Sequence, residues 1–240
     1  MAVYRERESR LAGAVVWTAT RAAGSGPSRI LPDGCMDLIW SSRDGLLVAG
    51  PDTVAQLATR TAAERYVGLR FAPGTGPAVF GLPAYELRDQ RVPLDRLWPA
   101  SAVADLAERV AGATLPSRVL EAAARDRLVA AGGPDPLAAP VVAGLVTGRD
   151  VAATAETLGL GTRQLHRRSL ALFGYGPKTL ARILRMRRAL ALARAGRPAA
   201  EIAAVTGYAD QAHLSREIRS LAGVSLRALV GDVPVRRGGS

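Results

Sequence analysis

Residues 201–226 read EIAAVTGYADQAHLSREIRSLAGVSL. Ile202 and its apolar neighbours give the beginning of this stretch one apolar side, which predicts a short helix. Gly207 follows at the position of a tight turn, where a residue without Cβ takes positive φ at little cost. Asp210 is placed to cap a second helix, and Gly223 to end it. The stretch therefore predicts a helix, a tight turn and a second helix.

The second predicted helix has two faces of different chemistry. Leu214, Ile218 and Leu221 recur at i, i+4 and i+7, which predicts one buried stripe. A different face carries long polar groups that have the reach to contact base edges in duplex DNA. The residues on that face are Gln211, Ala212, Ser215 and Arg216.

The positive charge of the chain is concentrated in the same half. The chain has 240 residues, a formal net charge of +11 and 48% hydrophobic residues, a composition typical of globular proteins. Residues 1–148 carry a net charge of +1, whereas residues 149–230 carry +9. A polyanionic partner explains such a basic domain, and a solvated basic surface is the alternative.

The first hundred residues have the pattern of a β-rich domain. Short apolar or alternating runs lie at 14–17, 35–40, 46–49, 54–58 and 66–71, with turn signals at 24–27, 32–34, 43–45, 50–51 and 73–74. This spacing is typical of a small barrel or sandwich. Helical periodicity replaces it at 100–113 and 116–131.

From residue 135 onward the sequence predicts helices alone. They are expected at 136–146, 151–158, 162–173, 177–195 and 225–230, besides the two helices within 201–226. The predicted fold class is α+β. We expect a β-rich, barrel- or sandwich-like sensor or oligomerisation domain with C-terminal helices over 1–132, and an all-α domain over 136–231. Residues 133–135 are the predicted linker, and 232–240 a flexible tail.

The C-terminal half contains an internal repeat. A shift of 49 residues lays Leu165 on Leu214, Arg167 on Arg216, Leu172 on Leu221 and Gly174 on Gly223. The helix predicted over 177–195 joins the two repeat units and is about 30 Å long. That length is close to the roughly 34 Å between successive major-groove faces of a duplex. Two reading helices held this far apart have the spacing to enter adjacent turns of DNA on one side.

Residues 136–230 resemble the DNA-binding domain of AraC/XylS-type transcriptional regulators, which has two helix-turn-helix units joined by a long helix. IAAVTGYADQAHLSREIRSLAGVSL is similar to the family's C-terminal signature, and LGLGTRQLHRRSLALFGYGP to its more variable first unit. The resemblance implies that outward residues of both reading helices contact double-stranded DNA. These are Arg163, His166 and Arg167 in the first unit, and Gln211, Ala212, Ser215 and Arg216 in the second.

Several of these positions have a second interpretation. Arg163 and Arg167 either read bases or only neutralise phosphates. The weaker candidates are phosphate contacts or solvated charges: Arg168, Lys178, Arg182 and Arg185. His213 lies beside the buried stripe and is expected to be structural. 

The first unit departs from the family pattern at two positions. Gly161 stands where the family usually has a capping Ser, with Thr162 as the substitute cap. Ser169 stands where an aromatic residue usually fills the core.

The N-terminal half contains a second resemblance. ILPDGCMDLIW and FGLPAYELRDQRVPLDRLW are similar to an N-terminal domain on a subset of AraC-type regulators whose ligand is generally unassigned. The resemblance covers about residues 10–110. It implies a sensor or oligomerisation domain, so a small-molecule effector and a homodimer are the expected partners, with the effector-binding residues unknown.

The sequence offers little support for an enzyme, a metal or another cofactor. The only histidines, His166 and His213, lie in the C-terminal half, so a histidine-based metal site in the first domain is not expected. No glycine-rich phosphate loop or nucleophile motif with a histidine base is present. The candidates for a catalytic carboxylate pair are Asp33, Asp37, Glu86 and Asp89, but turn, solvent or ion-pair roles explain them better.

Cys35 is the single cysteine, which excludes an intrachain disulfide. With no apolar run long enough for a signal peptide or a membrane span, the protein is expected in the cytoplasm. The predicted function is a sequence-specific transcriptional regulator whose two units read consecutive major grooves and respond to the N-terminal domain. The alternatives are a DNA-associated repair protein that accepts alkyl groups on Cys35, and a non-specific basic DNA binder.

Overall fold

Eight β-strands and ten α-helices form the regular structure of the described residues, which are 3–22, 26–58 and 63–231 of this computed structural model. The predicted turn at 24–27 lies partly, and the predicted tail at 232–240 wholly, outside them. The strands are β1 (Val3–Glu8), β2 (Val15–Arg21), β3 (Ser28–Ile30), β4 (Met36–Ser41), β5 (Gly45–Ala49), β6 (Gln56–Ala58), β7 (Glu64–Phe71) and β8 (Arg91–Pro93).

The helices begin after β7. They are α1 (Gly76–Phe80), α2 (Ala100–Gly112), α3 (Pro116–Ala130), α4 (Ala138–Val146), α5 (Val151–Thr157), α6 (Thr162–Phe173), α7 (Pro177–Arg194), α8 (Ala199–Thr206), α9 (Gln211–Ala222) and α10 (Leu226–Gly231). Short 3-10 turns lie at Ala84–Leu87 and Leu94–Arg96.

The strands form a six-stranded antiparallel sheet in the order β1-β2-β7-β4-β5-β8, and β3 pairs with β6 in a two-stranded ribbon. One face of the sheet is packed against α1, α2 and α3. Leu38, Leu69 and Phe71 are almost completely buried there, and Phe80 of α1 meets Phe71 edge-on with 5.7 Å between the ring centroids. The β-rich N-terminal half with trailing helices is therefore confirmed.

The other face of the sheet carries aromatic and charged side chains. Trp17 lies directly across Gly68, whose missing side chain makes room for the indole. The Trp17 Nε1 donates to Asp37 Oδ1 at 2.6 Å, and its ring stacks on Tyr4 at 6.1 Å between centroids. Trp17 thus links Tyr4 and Asp37 on this face of the sheet.

A second hydrophobic core lies in the C-terminal half, with α7 at its centre. Leu180, Ile183, Met186 and Leu190 of α7 are buried against the surrounding helices α4, α8, α9 and α10. The 18 residues of α7 make it about 27 Å long. The helix pairs α5–α6 and α8–α9 are joined by α7, which contacts α6, α8 and α9.

The strand predictions need correction at the margins. The run predicted at 54–58 forms a strand only over Gln56–Ala58, whereas the run at 14–17 belongs to a strand that reaches Arg21. Strands β1, β3 and β8 were not expected from the sequence. In the described part of the chain, no helix has the length and apolar character needed to cross a membrane.

Candidate nucleic-acid interface

The first helix-turn-helix unit consists of α5 and α6. Asp150 caps α5, since its Oδ1 accepts the Ala153 N–H at 2.7 Å. The turn contains Gly159, at φ +65°. The N-cap of α6 is Gly161, and no side chain caps this helix, so the expectation that Thr162 replaces the missing cap is wrong. Thr162 already has helical geometry as the first residue of α6, where its hydroxyl is past the capping position.

The second helix-turn-helix unit consists of α8 and α9. It repeats the arrangement of the first unit, except that a side chain caps its reading helix, α9. Gly207 ends α8 at φ +77°, the left-handed geometry that a tight turn requires. Asp210 is extended, and its Oδ1 accepts the His213 N–H at 2.6 Å, which confirms the predicted cap of α9. Gly223, at φ +73°, ends α9 as predicted. The local sequence signals therefore define both ends of this helix.

The two reading helices bury equivalent stripes. Leu165 and Leu172 of α6 occupy the positions of Leu214 and Leu221 in α9, and all four are buried. At the two remaining stripe positions the large and small residues are exchanged. These positions hold Ser169 and Phe173 in α6, and Ile218 and Ala222 in α9.

Ser169 is completely buried, and its hydroxyl has no hydrogen-bond partner among the described residues. Phe173, one turn later, is buried in the same core.

The seven predicted DNA contacts all lie on the outside of the reading helices. Their side chains are exposed, on faces that the buried stripes leave free: Arg163, His166, Arg167, Gln211, Ala212, Ser215 and Arg216. Two adjacent exposed residues lie in the N-terminal half of each reading helix: His166 and Arg167 in α6, and Ser215 and Arg216 in α9. This half of the reading helix contacts base edges in helix-turn-helix proteins.

Two of the predicted phosphate contacts are already bound within the chain. Arg182 of α7 makes a bidentate ion pair with Glu217 of α9, with Nε–Oε2 and Nη2–Oε1 distances of 2.8 and 3.1 Å. Hydrogen bonding from Arg182 lowers the pKa of Glu217. Arg168 of α6 pairs with Asp135 at 2.6 Å. Both arginines therefore tie reading helices to their surroundings.

Arg185 also has an intramolecular role. Its guanidinium lies 5.4 Å from the ring centroid of Tyr208, a cation–π geometry. Burial raises the pKa of the Tyr208 hydroxyl to about 12. His213 meets the same ring edge-on at 5.4 Å, and its Nδ1 accepts the Ala209 N–H, so the prediction that His213 is structural is confirmed. Lys178, the last of the predicted phosphate contacts, is exposed at the beginning of α7.

Arg219 is a further cation on this surface that was not predicted from the sequence. Arg219 is exposed on α9, and it lines a shallow groove of about 290 Å³ together with Ser215, Arg216 and Ser220. Its position at i+4 from Ser215 extends the predicted face by one turn. Continuing the helical spacing past Arg216 would have identified it.

The carboxylates considered for catalysis do not form one site. Asp33 and Asp37 both flank Arg70 in the N-terminal half, with Nε–Oδ distances of 3.3 and 3.5 Å. Burial raises the pKa of Asp37, and Arg70 opposes that rise. Asp89 instead binds the backbone N–H and hydroxyl of Thr53, while Glu86 is exposed on a 3-10 turn. Within the described ranges, no group of three or more His, Cys, Asp or Glu side chains could hold a metal ion.

Cys35 has an environment that suppresses thiolate formation. Burial raises the pKa of its thiol well above the usual value, and the nearby Asp33 carboxylate raises it further. Because the thiolate is the nucleophilic form, this position is unfavourable for accepting an alkyl group.

Comparison with known proteins gives matches to two family models. A helix-turn-helix domain model matches residues 154–230, and the model of a domain of unknown function, DUF6597, matches residues 14–93. No curated protein matches the sequence.

Solved structures of ToxT from Vibrio cholerae resemble the whole chain. Apo ToxT of strain SCE256, in a single-residue variant, is 12% identical with a TM-score of 0.50, covering 95% of this chain and 99% of that one. ToxT of V. cholerae O395 is 12% identical with a TM-score of 0.49, at 92% and 99% coverage. Wild-type ToxT of strain SCE256 with a bound unsaturated fatty acid is 12% identical with a TM-score of 0.48, at 93% and 97% coverage.

The fold and the duplicated surface define a DNA-binding protein with two helix-turn-helix units behind a β-rich domain. The likeness to apo ToxT shows the same overall fold. With a helix-turn-helix domain of the AraC type at its C-terminus and DUF6597 in its N-terminal half, the chain is an AraC-type DNA-binding transcription regulator.

Proposed function

We propose that α6 and α9 enter consecutive major grooves on one side of duplex DNA, with α7 as the spacer. Three observations support this arrangement: the reading faces are exposed, the buried stripes of the two helices are equivalent, and residues 149–230 carry a net charge of +9. The observation that carries the proposal is the exposure of all seven matched positions on the two helices. The proposed contacts are Arg163, His166, Arg167, Gln211, Ala212, Ser215 and Arg216.

The chemistry of these side chains suggests how the readout is divided. Arg216 and Arg167 occupy equivalent positions in the repeat, and arginine makes bidentate contacts to guanine. Gln211 has the amide geometry for adenine. Lys178 and Arg219 are assigned to phosphates. Three other arginines are weaker candidates for phosphate contacts, because a phosphate would compete with their intramolecular partners: Arg168, Arg182 and Arg185.

Selection of bound genomic DNA with the purified protein, followed by fluorescence anisotropy on the recovered site, tests the proposal. Specific binding should exceed binding to random DNA by roughly 10³ or more. Arg216→Ala should weaken specific binding by about 1–3 kcal/mol and relax specificity at one position. Lys178→Ala should instead reduce the slope of log affinity against log salt by about 1. Arg43→Ala removes an exposed charge in the N-terminal half and is the matched control.

The same measurements separate the alternatives. A non-specific basic binder would bind the selected and random fragments equally, and Arg216→Ala would weaken both to the same extent. A repair protein that accepts alkyl groups on Cys35 would gain the mass of one alkyl group after exposure to alkylated DNA. The raised pKa of the Cys35 thiol is an argument against that second alternative.

We propose that residues 1–132 sense an effector, with 133–135 as the linker and 136–231 as the DNA-binding domain. A groove of about 440 Å³ between α1, the end of α3 and α6 is the candidate effector site. It is an open groove rather than an enclosed cavity, and its walls are mainly small and apolar, including Ala78, Leu82 and Leu172, with Asp135 as the charged residue among them. An effector here would contact the first reading helix. Action as a homodimer in the cytoplasm is part of the same proposal.

An apolar fluorescent probe, anilinonaphthalene sulfonate, tests the groove without knowledge of the effector. The probe should bind the folded protein, and Ala78→Trp should abolish that binding by filling the groove. Retained probe binding in a folded Ala78→Trp variant would place the probe elsewhere and contradict the assignment. By linkage, a ligand that changes DNA affinity must have its own affinity changed by DNA to the same extent.

A further inference from the structure

We propose that the N-terminal half is a brace that holds the C-terminal ends of both reading helices, with Arg29 as its positioning residue at α9. This proposal rests on the proposed function, because it concerns the orientation of the helices that read DNA. It assigns no DNA contact to Arg29. The brace consists of one contact region at each reading helix.

At α9, two donors from the N-terminal half bind the last turn. The Arg29 Nη1 donates to the Ala222 carbonyl at 2.7 Å, and the Ala55 N–H donates to the Leu221 carbonyl, also at 2.7 Å. The last carbonyls of a helix have no intrahelical partner, and a cation at this end interacts favourably with the helix dipole. The ribbon strand β3 and the residue just before β6 therefore cap α9 from another domain.

At α6, the contact lies at the equivalent position of the repeat. Gly174 ends α6 at φ +82°, as Gly223 ends α9 at φ +73°. A Cβ added at Gly174 would lie 2.6 Å from Pro51 Cγ and 3.2 Å from the Ala84 carbonyl oxygen, so the N-terminal half packs directly against this helix end. The Arg88 Nη1 also approaches the Gly174 carbonyl at 3.4 Å. Both reading helices are thus held at the same end.

The contact at α9 is connected to the interior of the N-terminal sheet. Two residues after Arg29, Leu31 packs against the C-terminal core. Two residues further, Asp33 pairs with the half-buried Arg70, which also pairs with Glu6 of β1 at 3.1 Å. The segment that carries Arg29 is therefore connected to the sheet through the Asp33–Arg70 ion pair.

Holding the helices by their C-terminal ends leaves their N-terminal halves, which carry the proposed base contacts, accessible to DNA. It also restricts the orientation of α9 before DNA binds. Pre-orientation reduces the entropy lost on association, so it favours a site that engages both units at once. The brace is expected to raise affinity for the complete operator without itself contacting the duplex.

The test compares Arg29→Ala, Arg29→Lys and the control Arg43→Ala by fluorescence anisotropy on the selected operator across a range of salt concentrations. Arg29→Ala should bind about 3- to 30-fold more weakly, with an unchanged salt slope, because it removes a positioning hydrogen bond and no phosphate contact. Arg29→Lys keeps a cationic donor and should restore most of the affinity. Arg43→Ala should match the wild type. If Arg29→Ala does not fold, Arg29→Gln replaces it in the same comparison.

Hydrogen exchange of the free protein gives a second readout. The Ala55 amide, whose acceptor is on α9, should exchange faster in Arg29→Ala than in the wild type or in Arg43→Ala. Unchanged or tighter operator binding by folded Arg29→Ala would overturn the brace, as would a salt slope reduced by about 1, which indicates a direct phosphate contact. A wild-type protein with no operator preference would instead overturn the proposed function, and an Arg216→Ala defect without an Arg29→Ala defect would overturn the brace alone.

Discussion

Asp210 caps the second reading helix, α9, and Asp150 caps α5 in the same way, so that the second residue serves as a control for a prediction about the first. Asp210 is extended, at φ −160° and ψ 178°, and its Oδ1 accepts the His213 N–H at 2.6 Å. Replacing it by Ala leaves that N–H without its protein acceptor and removes a negative charge from the positive end of the helix dipole. Asp150 caps α5 in the same way, accepting the Ala153 N–H at 2.7 Å. The two sites differ in function, since only α9 is a reading helix.

The size of the effect follows from this geometry. Loss of an Asp cap costs about 1 kcal/mol, within a range of about 0.5–2 kcal/mol. The interaction with the dipole, about 0.3–1 kcal/mol, belongs to the same carboxylate and is mostly contained in that figure. We therefore expect Asp210→Ala and Asp150→Ala each to lower the midpoint of thermal unfolding by about 2–4 °C. Asp210→Asn keeps a side-chain acceptor for the His213 N–H, so it should lower the midpoint of thermal unfolding by less than half as much as Asp210→Ala.

Calorimetry and operator binding together check the reasoning. Asp210→Ala should also bind the operator more weakly than Asp210→Asn, because fraying of the first turn misplaces Gln211 and Ala212 while the two variants have the same charge. Asp150→Ala should show the stability loss with a smaller binding loss. Equal melting temperatures for Asp210→Ala and the wild type would refute the capping argument. Equal operator affinities for Asp210→Ala and Asp210→Asn would refute the link between the cap of α9 and DNA binding.

Three further predictions concern other parts of the chain. Gly68→Ala should destabilise the N-terminal half by about 3 kcal/mol or more, measured by denaturant titration, because its Cβ would lie 2.0 Å from Trp17 Cε2; a normally stable variant would contradict the packing. Glu217→Gln should cost about 0.5–1 kcal/mol at neutral pH. The Arg182 hydrogen bond lowers the pKa of Glu217 in the folded protein. The stability difference between the wild type and Glu217→Gln should therefore be fully present above pH 4.5, the ordinary pKa of the carboxyl, and should vanish as the pH falls through the lower pKa of the folded state. A stability difference that persists in acid would argue for another cause. Cys35 should react slowly with iodoacetamide at pH 8 in the folded protein and rapidly after unfolding, and fast reaction when folded would disprove the suppressed thiolate.

The helices of the C-terminal half were predictable because their ends depend on local signals. Asp210 and Gly223 define α9, and Pro177 at the first turn of α7 begins that helix where expected. Local chemistry of this kind is readable from neighbouring residues alone. The predicted exposure of the reading faces followed from the same periodicity, because a buried stripe on one side leaves the other side free.

The N-terminal edge strand β1 was not predictable in this way. Its sequence VYRERE is mostly charged, which is a pattern that suggests a loop. It forms a strand because its backbone pairs with β2 along its whole length, and Glu6 also meets Arg70, 64 residues away in the sequence, while the charged edge discourages pairing with other chains. The ties that hold the reading helices also join residues that are distant in the sequence, as in Arg182 with Glu217, 35 residues apart. Pairing between distant side chains depends on the assembled fold, which periodicity does not report.

The two units of the repeat are held in place by different means. The second unit supplies its own support: Asp210 caps its reading helix, Ile218 fills its core, and Glu217 ties it to α7. The first unit has an uncapped reading helix and a buried Ser169 without a hydrogen-bond partner among the described residues. 

The end of α6 meets the N-terminal half closely, because a Cβ added at Gly74 would lie 2.9 Å from Phe173 Cε1. The N-terminal half therefore reaches the first unit through packing at its helix end, and the second through two hydrogen bonds at the equivalent end. Since both routes avoid the exposed reading faces, a change in the N-terminal half can alter the orientation of the readers without competing with DNA for the same side chains.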